Sequence, residues 1–436
     1  MAGLFQVFFW LSRDNLVTLN ENSFEKIESL SYSPFEGYDK NLLSSEQIAY
    51  DVNLFENFTN KLRTYGTLEA YKILQSSKDS NLPIDLGLWI GGDLEANNLE
   101  IQRALEILKE YPNRIQSVIV GNEVLLRKEL EPLELYAYID FMKSHTKKPV
   151  TTAETWDIWE KNPQLASHVD FLTIHILPYW EKVPIERYNE FIIEKYSVVE
   201  ELFPNRKIVI GETGWPSHGY NNNSAIPSIK NQAQAIRGFV NLAHEKGWHY
   251  NIIEALDQPW KGYDEGNVGQ YWGIFTTDRA LKFQLAGEVE LNKYWLYQMI
   301  AAIIIGAFLT LFGLKNQRVN ISHAFAYAIA AQGMAFGIVM AAIYPFVNYM
   351  NFGMWIMWGM GSFLMIPLVI ITLAKANELF RSSIGVQPSR LVPLDLKSKN
   401  APLVSIHVPA YKEQPHVLAE TLESLSKLTY PNYEVL

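Results

Sequence analysis

The sequence predicts a (β/α)8 TIM barrel, then three membrane-spanning helices, then a short α/β segment. Eight apolar runs that alternate with helical patterns indicate the barrel. Two long stretches almost without charge indicate the spans, and a strand, a helix and a second strand near the C-terminus indicate the last part. The predicted division is 1–28 (N-terminal segment), 29–290 (barrel), 294–314, 321–347 and 354–374 (spans), 375–402 (linker) and 403–436 (terminal α/β segment).

The composition excludes several classes of function. The 436 residues carry a formal net charge of -10, which argues against nucleic acid as a partner. The chain has no cysteine, so disulfides, thiol catalysis and cysteine metal sites are excluded. The His residues show no H-E-x-x-H spacing and no phosphate-binding G-x-x-x-x-G-K-[ST] loop is present, so we predict neither a metal nor a cofactor for the barrel.

The barrel strands are predicted from short runs rich in Val, Ile and Leu. Between most of them lie amphipathic stretches, such as the one with Ile101, Ala104 and Leu108 on one face, and each interval leaves room for one crossover helix. An open, doubly wound sheet is the alternative, but it usually has a Gly-rich first turn, which is missing here. The eighth helix is the weakest part of the pattern, because 262–275 contains mostly Gly and aromatic residues. The runs are 30–35, 62–65, 86–90, 118–120, 150–153, 171–177, 208–210 and 252–256.

Two glutamates follow buried strands of the same design. Glu123 follows the fourth run and Glu212 follows the seventh, and a barrel brings the carboxyl ends of its strands to one face. Either residue alone is readily explained as a salt-bridged loop residue. Together they indicate glycosidic-bond chemistry, for which retaining enzymes need two carboxyl groups about 5–5.5 Å apart. Asn122 can hydrogen-bond a sugar 2-hydroxyl beside them.

Aromatic side chains cluster after the predicted strands. Such rings stack on sugar faces, although each one alone is more often a core residue, and we expect about half of the set to line a groove. Arg63, within the second run, is placed with the binding residues. The aromatic set is Tyr32, Tyr65, Trp89, Trp156, Tyr179, Trp180, Trp215 and Trp260.

Residues 294–374 predict a membrane region. The first 21 residues have no charged side chain, which suffices to cross a bilayer, and the 56 residues of 319–374 lack Asp, Glu, Lys and Arg, which is too long for one span. Asn348 and Gly353 predict a hairpin that divides this stretch in two. A buried soluble helical bundle is the alternative.

The basic residues predict the topology. Lys315 and Arg318 lie in the loop after the first span, and Lys375 opens a basic segment after the third. Since cytoplasmic loops are enriched in Lys and Arg, we predict a multi-pass protein of the inner (cell) membrane, with the lipid bilayer as a partner. The barrel is then extracytoplasmic, and the linker and C-terminal segment are cytoplasmic.

Both ends of the chain carry expectations of their own. The apolar residues 2–11 are too short to span a bilayer, and we expect either a remnant of a signal anchor or an apolar terminus. At the other end, residues 430–436 begin a strand, from which we expect this chain to be a fragment of a longer protein.

Five motifs in order give the barrel a resemblance to family 17 glycoside hydrolases. It covers about 30–283 and is closest to the bacterial branch fused to membrane β-glucan synthases. The resemblance implies that Glu123 is the acid/base and Glu212 the nucleophile, that the substrate is a β-1,3-glucan, and that transglycosylation accompanies hydrolysis. His175, Tyr179, Asp257 and Lys261 match positions around the family's site and are carried over as binding or supporting residues. The motifs are V-G-N-E at 120–123, T-T-A-E at 151–154, H-I-L-P-Y-W-E at 175–181, G-E-T-G-W-P at 211–216 and E-A-L-D-Q-P-W-K at 254–261.

The terminal segment is similar to the start of a family 2 glycosyltransferase. There, Pro409, Ala410, Tyr411 and Glu413 correspond to a stretch beside the nucleotide of a UDP-sugar, whereas Lys412 stands where the family commonly has Asn. The family's metal-binding Asp motif and catalytic base are absent from this chain. A UDP-sugar and a divalent metal are therefore expected only for a complete glycosyltransferase, whose missing remainder is an expected partner.

Two functions remain at this point. The first is a membrane-tethered, retaining β-glucan-active enzyme that forms the N-terminal part of a β-glucan synthase. The second is a non-catalytic glucan-binding domain that guides the polymer leaving the synthase, which needs the aromatic groove but not the carboxylates. The presence of both glutamates with Asn122 favours the enzyme.

Overall fold

The computed structural model describes residues 2–13, 16–19, 26–292, 294–348, 350, 352–386 and 402–436. Its first part is a closed barrel of eight parallel strands, each paired with the next along the chain and the eighth with the first. The predicted barrel is thereby confirmed. The strands are β1 (Leu30–Ser31), β2 (Leu62–Arg63), β3 (Ile84–Leu88), β4 (Ile115–Asn122), β5 (Val150–Thr155), β6 (Leu172–His175), β7 (Ile208–Thr213) and β8 (His249–Ile252).

Helices cover the outside of the barrel between most strands. Capping residues set their ends. The Asp93 side chain accepts hydrogen bonds from the backbone N–H groups of Glu95 and Ala96 at the start of the helix Leu94–Glu110. Gly247, with φ +67°, ends the helix Ile229–Lys246. The apolar face formed by Ile101 and Ala104 is buried, as its spacing predicts. The helices are α2 (Ser45–Phe55), α3 (Thr67–Ser76), α4 (Leu94–Glu110), α5 (Pro132–His145), α6 (Trp156–Lys161), α7 (Tyr188–Leu202) and α8 (Ile229–Lys246), with α1 (Gly3–Leu11) before the barrel.

The segment after β8 differs from the rest of the repeat. In place of a long helix it forms two short 3-10 helices, Pro259–Gly262 and Asn267–Tyr271. Pro and Gly disfavour a regular α-helix here. The aromatic residues of this segment instead close the core, where Trp272 and Phe275 are buried.

Three long apolar helices follow: α9 (Trp295–Gly313), α10 (Ile321–Val347) and α11 (Phe352–Ser383), each long and apolar enough to cross a membrane. The last one continues past Ala374, where a span followed by a linker was predicted. Lys375 and Glu378, which form an ion pair at 2.9 Å, end the apolar stretch but still favour a helix. Of the predicted linker 375–402, residues 387–401 lie outside the described residues.

The N-terminal helix α1 packs against the apolar helices. Trp10 is buried with Ala302 of α9 and Val339 of α10, and the Gln6 side chain donates to the Gln332 carbonyl at 2.6 Å. The strand Leu16–Thr18 then pairs antiparallel with Glu288–Glu290, directly before α9.

The C-terminal segment forms a small parallel unit. It consists of β9 (Val404–Ile406), α12 (Pro415–Ser426) and β10 (Tyr433–Val435), with Ser405 opposite Glu434 in the ladder. This strand–helix–strand order is the one that the sequence predicts.

Candidate active site

The two glutamates lie together at the carboxyl-terminal mouth of the barrel. Glu123 directly follows β4 and Glu212 is the fifth residue of β7. A carboxylate oxygen of each lies within 4.8 Å of the other and of a ring nitrogen of His175. This separation is near the value of about 5–5.5 Å for retaining glycosidases and well below the 6.5–9.5 Å that inverting enzymes need for a water molecule.

The backbone at both positions depends on glycine. Gly121 has φ +84° and Glu123 itself has φ +56°, so β4 ends in a left-handed turn that directs the Glu123 side chain into the mouth. On β7, a Cβ at Gly211 would lie 2.4 Å from Thr173 Cγ2 and 3.1 Å from His175 Cδ2. The missing side chain therefore allows the His175 ring to lie beside Glu212.

His175, at the end of β6, lies between the two carboxylates. Its Nδ1 is 2.8 Å from Glu123 Oε1, and its Nε2 is 3.7 Å from Glu212 Oε1 and 3.3 Å from Arg63 Nη1. Because a guanidinium can only donate, Nε2 is the acceptor and Nδ1 carries the proton. The imidazole thus donates to the Glu123 carboxylate.

Arg63, the last residue of β2, is the buried charge at the centre of the site, with only 2% of its surface exposed. Its Nη2 donates to Asn122 Oδ1 at 2.6 Å, its Nη1 donates to the Gly211 carbonyl, and Nη1 lies 3.3 Å from Glu212 Oε1. One guanidinium therefore joins β2, β4 and β7 and compensates the charge of the buried Glu212.

The surroundings of Glu123 favour its charged form. Burial disfavours its charged form, but the hydrogen bond from His175 and the positive charges of Arg127 and Arg63 outweigh it, so the pKa of Glu123 lies below its ordinary value. In the free protein the surroundings of Glu123 therefore favour the carboxylate, whereas the acid role that the family resemblance implies needs the protonated form.

The β8 side of the mouth contributes a buried ion pair. Lys261 Nζ lies 2.9 and 2.8 Å from the two oxygens of Glu254. Tyr65, after β2, lies over this ammonium at 5.8 Å and donates to Ser31 Oγ at 3.0 Å. Arg63 Cζ also lies 5.1 Å from the Tyr65 ring centroid, so the predicted binding residues Tyr65 and Lys261 lie beside the guanidinium that contacts Glu212.

The Asp257 carboxylate is occupied by contacts to other residues of the chain. Lys282 Nζ lies 2.7 Å from Asp257 Oδ1, and the same oxygen accepts from the Gly273 N–H at 3.1 Å. These contacts give Asp257 the role of holding the loop after β8 rather than of meeting a ligand.

Three aromatic residues predicted for binding lie in the core. Tyr32, Tyr179 and Trp215 are each at most 1% exposed, and their polar atoms donate to Asp51, to the Tyr220 carbonyl and to the Ile226 carbonyl. Buried rings cannot stack on a sugar, so direct contact is wrong for these three, which instead shape the walls of the mouth.

Two further predicted aromatics are partly buried. Trp180 packs against Trp272, with ring centroids 6.0 Å apart. Trp260 carries Lys40 Nζ over its ring at 4.2 Å. Both keep exposed surface and remain candidates for the groove.

The structure adds two acidic residues to which the sequence analysis assigned no role. Burial raises the pKa of Glu154 to about 7 and that of Glu265 to about 7, and the charges of Glu212 and Glu123 act on Glu265 in the same direction. Glu154 Oε1 accepts from the Leu125 N–H at 2.8 Å, which holds the turn after Glu123. Glu154 stood within a recognised motif, whereas Glu265 lies in a Gly-rich loop without a periodic signal.

Among the described residues, Glu123, His175 and Glu212 form one group whose ligand atoms could meet at a metal ion. The fixed positive charge of Arg63 beside Glu212 opposes a divalent cation there. The arrangement therefore suits two carboxylates that act directly on a substrate.

The residues predicted to lie beside a nucleotide are in the loop between β9 and α12. Pro409, Ala410, Tyr411 and Glu413 are all exposed, and Lys412 has φ +58°.

Comparison with known proteins gives consistent findings for the barrel. Residues 29–273 match the model of the BtgE/BtgC glycoside hydrolase domain family. A glucan 1,3-beta-glucosidase of Schizosaccharomyces pombe is 27% identical over 255 residues, covering 54% of this chain and 79% of the relative.

Solved structures resemble the same part. An active-site mutant of the Rhizomucor miehei beta-1,3-glucanosyltransferase in complex with laminaritriose has a TM-score of 0.54 and 25% identity, over 59% of this chain and 95% of that one. An endo-laminarinase from Formosa, with a TM-score of 0.52 and 20% identity over 60% of this chain and 86% of that one, shares the fold.

Proposed function

Since residues 29–273 make this chain a member of the BtgE/BtgC glycoside hydrolase domain family, we propose that it is a retaining enzyme that cleaves and rejoins β-1,3-glucan. The observation that carries the proposal is the pair Glu123 and Glu212, with oxygens within 4.8 Å of each other. The substrate is supported by the names of its relatives, a glucan 1,3-beta-glucosidase and a beta-1,3-glucanosyltransferase complexed with laminaritriose.

In the first half of the reaction, the Glu212 carboxylate attacks the anomeric carbon, and the C–O bond to the leaving sugar breaks as Glu123 gives that oxygen its proton. Arg63 holds the Glu212 carboxylate in place. In the second half, Glu123 takes a proton from water or from a sugar hydroxyl, which attacks the glycosyl-enzyme and releases Glu212.

The charge of Glu212 explains how Glu123 changes from acid to base. A bound sugar excludes water from the mouth, which raises the pKa of Glu123, and the nearby Glu212 carboxylate raises it further. Once Glu212 is esterified its negative charge is gone, and the pKa of Glu123 falls towards the low value favoured by His175 and Arg127. Glu123 is then ready to act as a base.

The non-catalytic alternative explains less of the site. A binding groove needs aromatic faces and hydrogen-bond partners for sugar hydroxyls. It does not need Glu212 to be nearly buried beside Arg63, an arrangement that costs desolvation energy.

The decisive experiment incubates the full chain, in detergent micelles, with β-1,3-gluco-oligosaccharides and analyses the products by mass spectrometry.

Three outcomes are distinguished. Products longer than the substrate establish transglycosylation, and only shorter ones establish hydrolysis. Glu123→Gln and Glu212→Gln should each remove turnover while leaving the melting temperature within a few degrees. Binding without turnover in the wild-type chain would support the glucan-binding alternative instead.

We further propose that the enzyme is tethered to the inner membrane by α9–α11, as part of a β-glucan synthase. The support is the hydropathy of these helices together with the basic loop that contains Lys315 and Arg318. The chain contains no cysteine, so single cysteines can be introduced. In intact cells, a membrane-impermeant maleimide should label Asn98→Cys on the barrel and not Asn316→Cys in that loop; the reverse pattern would contradict this topology.

The similarity of the C-terminal segment to family 2 glycosyltransferases supports the same assignment. The described residues 402–436 contain no Asp, so they do not fit the divalent-metal site of such an enzyme, and no transfer from a UDP-sugar is assigned to this chain.

A further inference from the structure

Trp89 is an exposed aromatic residue that directly follows β3, and β3 pairs with β4, the strand that directly precedes Glu123. Its side chain is 46% exposed, while Leu88 and Ile90 on either side are buried. A single exposed ring carries little information by itself. The contacts that hold Trp89 distinguish it from the other exposed aromatics of the barrel.

The guanidinium of Arg127 lies over the Trp89 ring, with Cζ 4.6 Å from the ring centroid. The Arg127 Nε and Nη2 donate to the two carboxylate oxygens of Glu129 at 3.0 and 2.9 Å, and its Nη1 donates to the Asn122 carbonyl. All three guanidinium nitrogens are thus engaged, which fixes the plane against which the indole packs.

The same arginine is tied to the turn that carries Glu123. Asn122 is the residue immediately before Glu123, and the Arg127 backbone N–H donates to the Glu123 carbonyl at 2.9 Å. On the other side, a Cβ at Gly91 would lie 2.7 Å from Glu129 Oε2, so the loop after Trp89 packs closely on the partner of Arg127. Trp89 and Glu123 are therefore held by one set of contacts.

We propose that Trp89 is a sugar-stacking platform of the substrate groove and that Arg127 is a positioning residue that holds it in register with Glu123. The proposal rests on the proposed function and deepens it: the ligand is a β-linked gluco-oligosaccharide. Neighbouring strands lie about 4.8 Å apart. A glucosyl unit stacked on Trp89 would therefore lie close to the glycosidic bond that Glu123 protonates. The indole packs on Arg127, and its 46% exposed surface is available to the apolar face of a glucosyl ring.

The test measures KM and kcat of the full chain in detergent on β-1,3-gluco-oligosaccharides of increasing length. Trp89→Ala should raise KM about tenfold for oligosaccharides long enough to reach the platform, which corresponds to about 1.4 kcal/mol of stacking, and change kcat less than twofold. Trp89→Phe should restore part of the affinity. The matched control is Phe141→Ala, an exposed aromatic on the outer helix α5, which should behave as wild type.

Arg127→Lys separates positioning from a merely structural role. A lysine keeps the charge but cannot pair with both oxygens of Glu129, so we expect the same dependence of KM on length together with a lower kcat, since the turn at Glu123 is loosened. An equal loss for all lengths in Trp89→Ala, or no loss, would overturn the proposal.

Failure of the proposed function gives a different result. The wild-type chain could bind β-1,3-gluco-oligosaccharides without turnover, in which case calorimetry measures their affinity for each variant. Binding to Trp89→Ala that is about tenfold weaker than to the wild type supports the stacking role of Trp89, and equal binding overturns it. No binding to the wild-type chain overturns both.

Discussion

The Nδ1 of His175 lies 2.8 Å from Glu123 Oε1, and this hydrogen bond is a main reason why the pKa of Glu123 lies below its ordinary value. Because the bond stabilises the carboxylate, its loss must raise that pKa. Glu123 has to be protonated for the first half of the reaction, so a higher pKa extends activity to higher pH. The other charged groups near Glu123 are Arg63, Arg127, Glu154, Glu212 and Glu265.

We therefore predict that His175→Ala moves the alkaline limb of kcat/KM to higher pH while kcat falls at least tenfold. The amide of His175→Gln can still donate a hydrogen bond, so the alkaline limb of this variant should lie between those of the wild type and of His175→Ala. The measurement is the pH profile of kcat/KM on one oligosaccharide. An unchanged alkaline limb in His175→Ala would show that this bond does not set the charge state of Glu123.

Arg63 is predicted to matter for both stability and activity. Arg63→Met removes the cation beside the nearly buried Glu212 and leaves the Asn122 oxygen without its donor, which should lower the free energy of unfolding by about 3–5 kcal/mol. Activity should fall by a factor of about 10²–10³, since the nucleophile is no longer held.

Arg63→Lys is the matched control. It keeps the charge but cannot reach Asn122, Gly211 and Glu212 together, so stability should recover in part and activity should not. Thermal unfolding and kcat of the full chain in detergent test both statements. A Met variant as stable as wild type would contradict the central role of this guanidinium.

Much of the barrel could be predicted because its strands are short apolar runs with a fixed order. Glu123 and Glu212 were predicted at one mouth for the same reason: a closed parallel barrel leaves no other place for the carboxyl ends of β4 and β7. Their separation could not be predicted, because it depends on the left-handed turn at Glu123 and on the missing side chain of Gly211.

The aromatic residues show the limit of pattern reading. Tyr32 and Trp89 both follow a barrel strand, yet Tyr32 turns inward to donate to Asp51 and Trp89 turns outward onto Arg127. Partners distant in sequence decide between these directions. Glu265 was missed for a related reason, since its loop has neither helical nor strand periodicity.

The barrel should be more stable at mildly acidic pH than at neutral pH. Burial raises the pKa of Glu154 and of Glu69 to about 7, above the value of about 4.3 for an unfolded chain. The contribution of such a group is complete below the unfolded pKa and is lost as pH rises through the folded one. The pKa of Glu123 is lowered instead, and the stability that this shift contributes is lost only at pH values below the ordinary pKa of the group, which lie outside this range.

The melting temperature of the full chain in detergent should therefore fall by several degrees between pH 5 and pH 8. Glu154→Gln should reduce the slope, because an amide does not ionise and can still accept a hydrogen bond from the Leu125 N–H. A melting temperature that is constant or rises over this range would show that these carboxyls are not buried as described.

The N-terminal helix α1 should have a fixed place among the apolar helices α9–α11. The buried Gln6 donates to the Gln332 carbonyl and accepts from the Trp10 indole, contacts that are costly to break in an apolar region, and a Cβ at Gly3 would lie 3.8 Å from Ile303 Cγ2. The chain has no cysteine, so Gly3→Cys with Ile303→Cys gives a protein with a single possible intramolecular disulfide. We predict that this pair cross-links on mild oxidation of the full chain.

The control pair combines Gly3→Cys with Ile366→Cys, on the exposed face of α11, and should not cross-link within one chain. Gln6→Leu should leave the cross-link in place if apolar packing of Trp10 dominates, and should weaken it if the glutamine contacts do. Since the glutamine side chain connects α1 to α10 while Trp10 packs on both α9 and α10, we expect a reduced but measurable yield. Equal cross-linking at Ile303 and Ile366 would show that α1 has no fixed place among these helices.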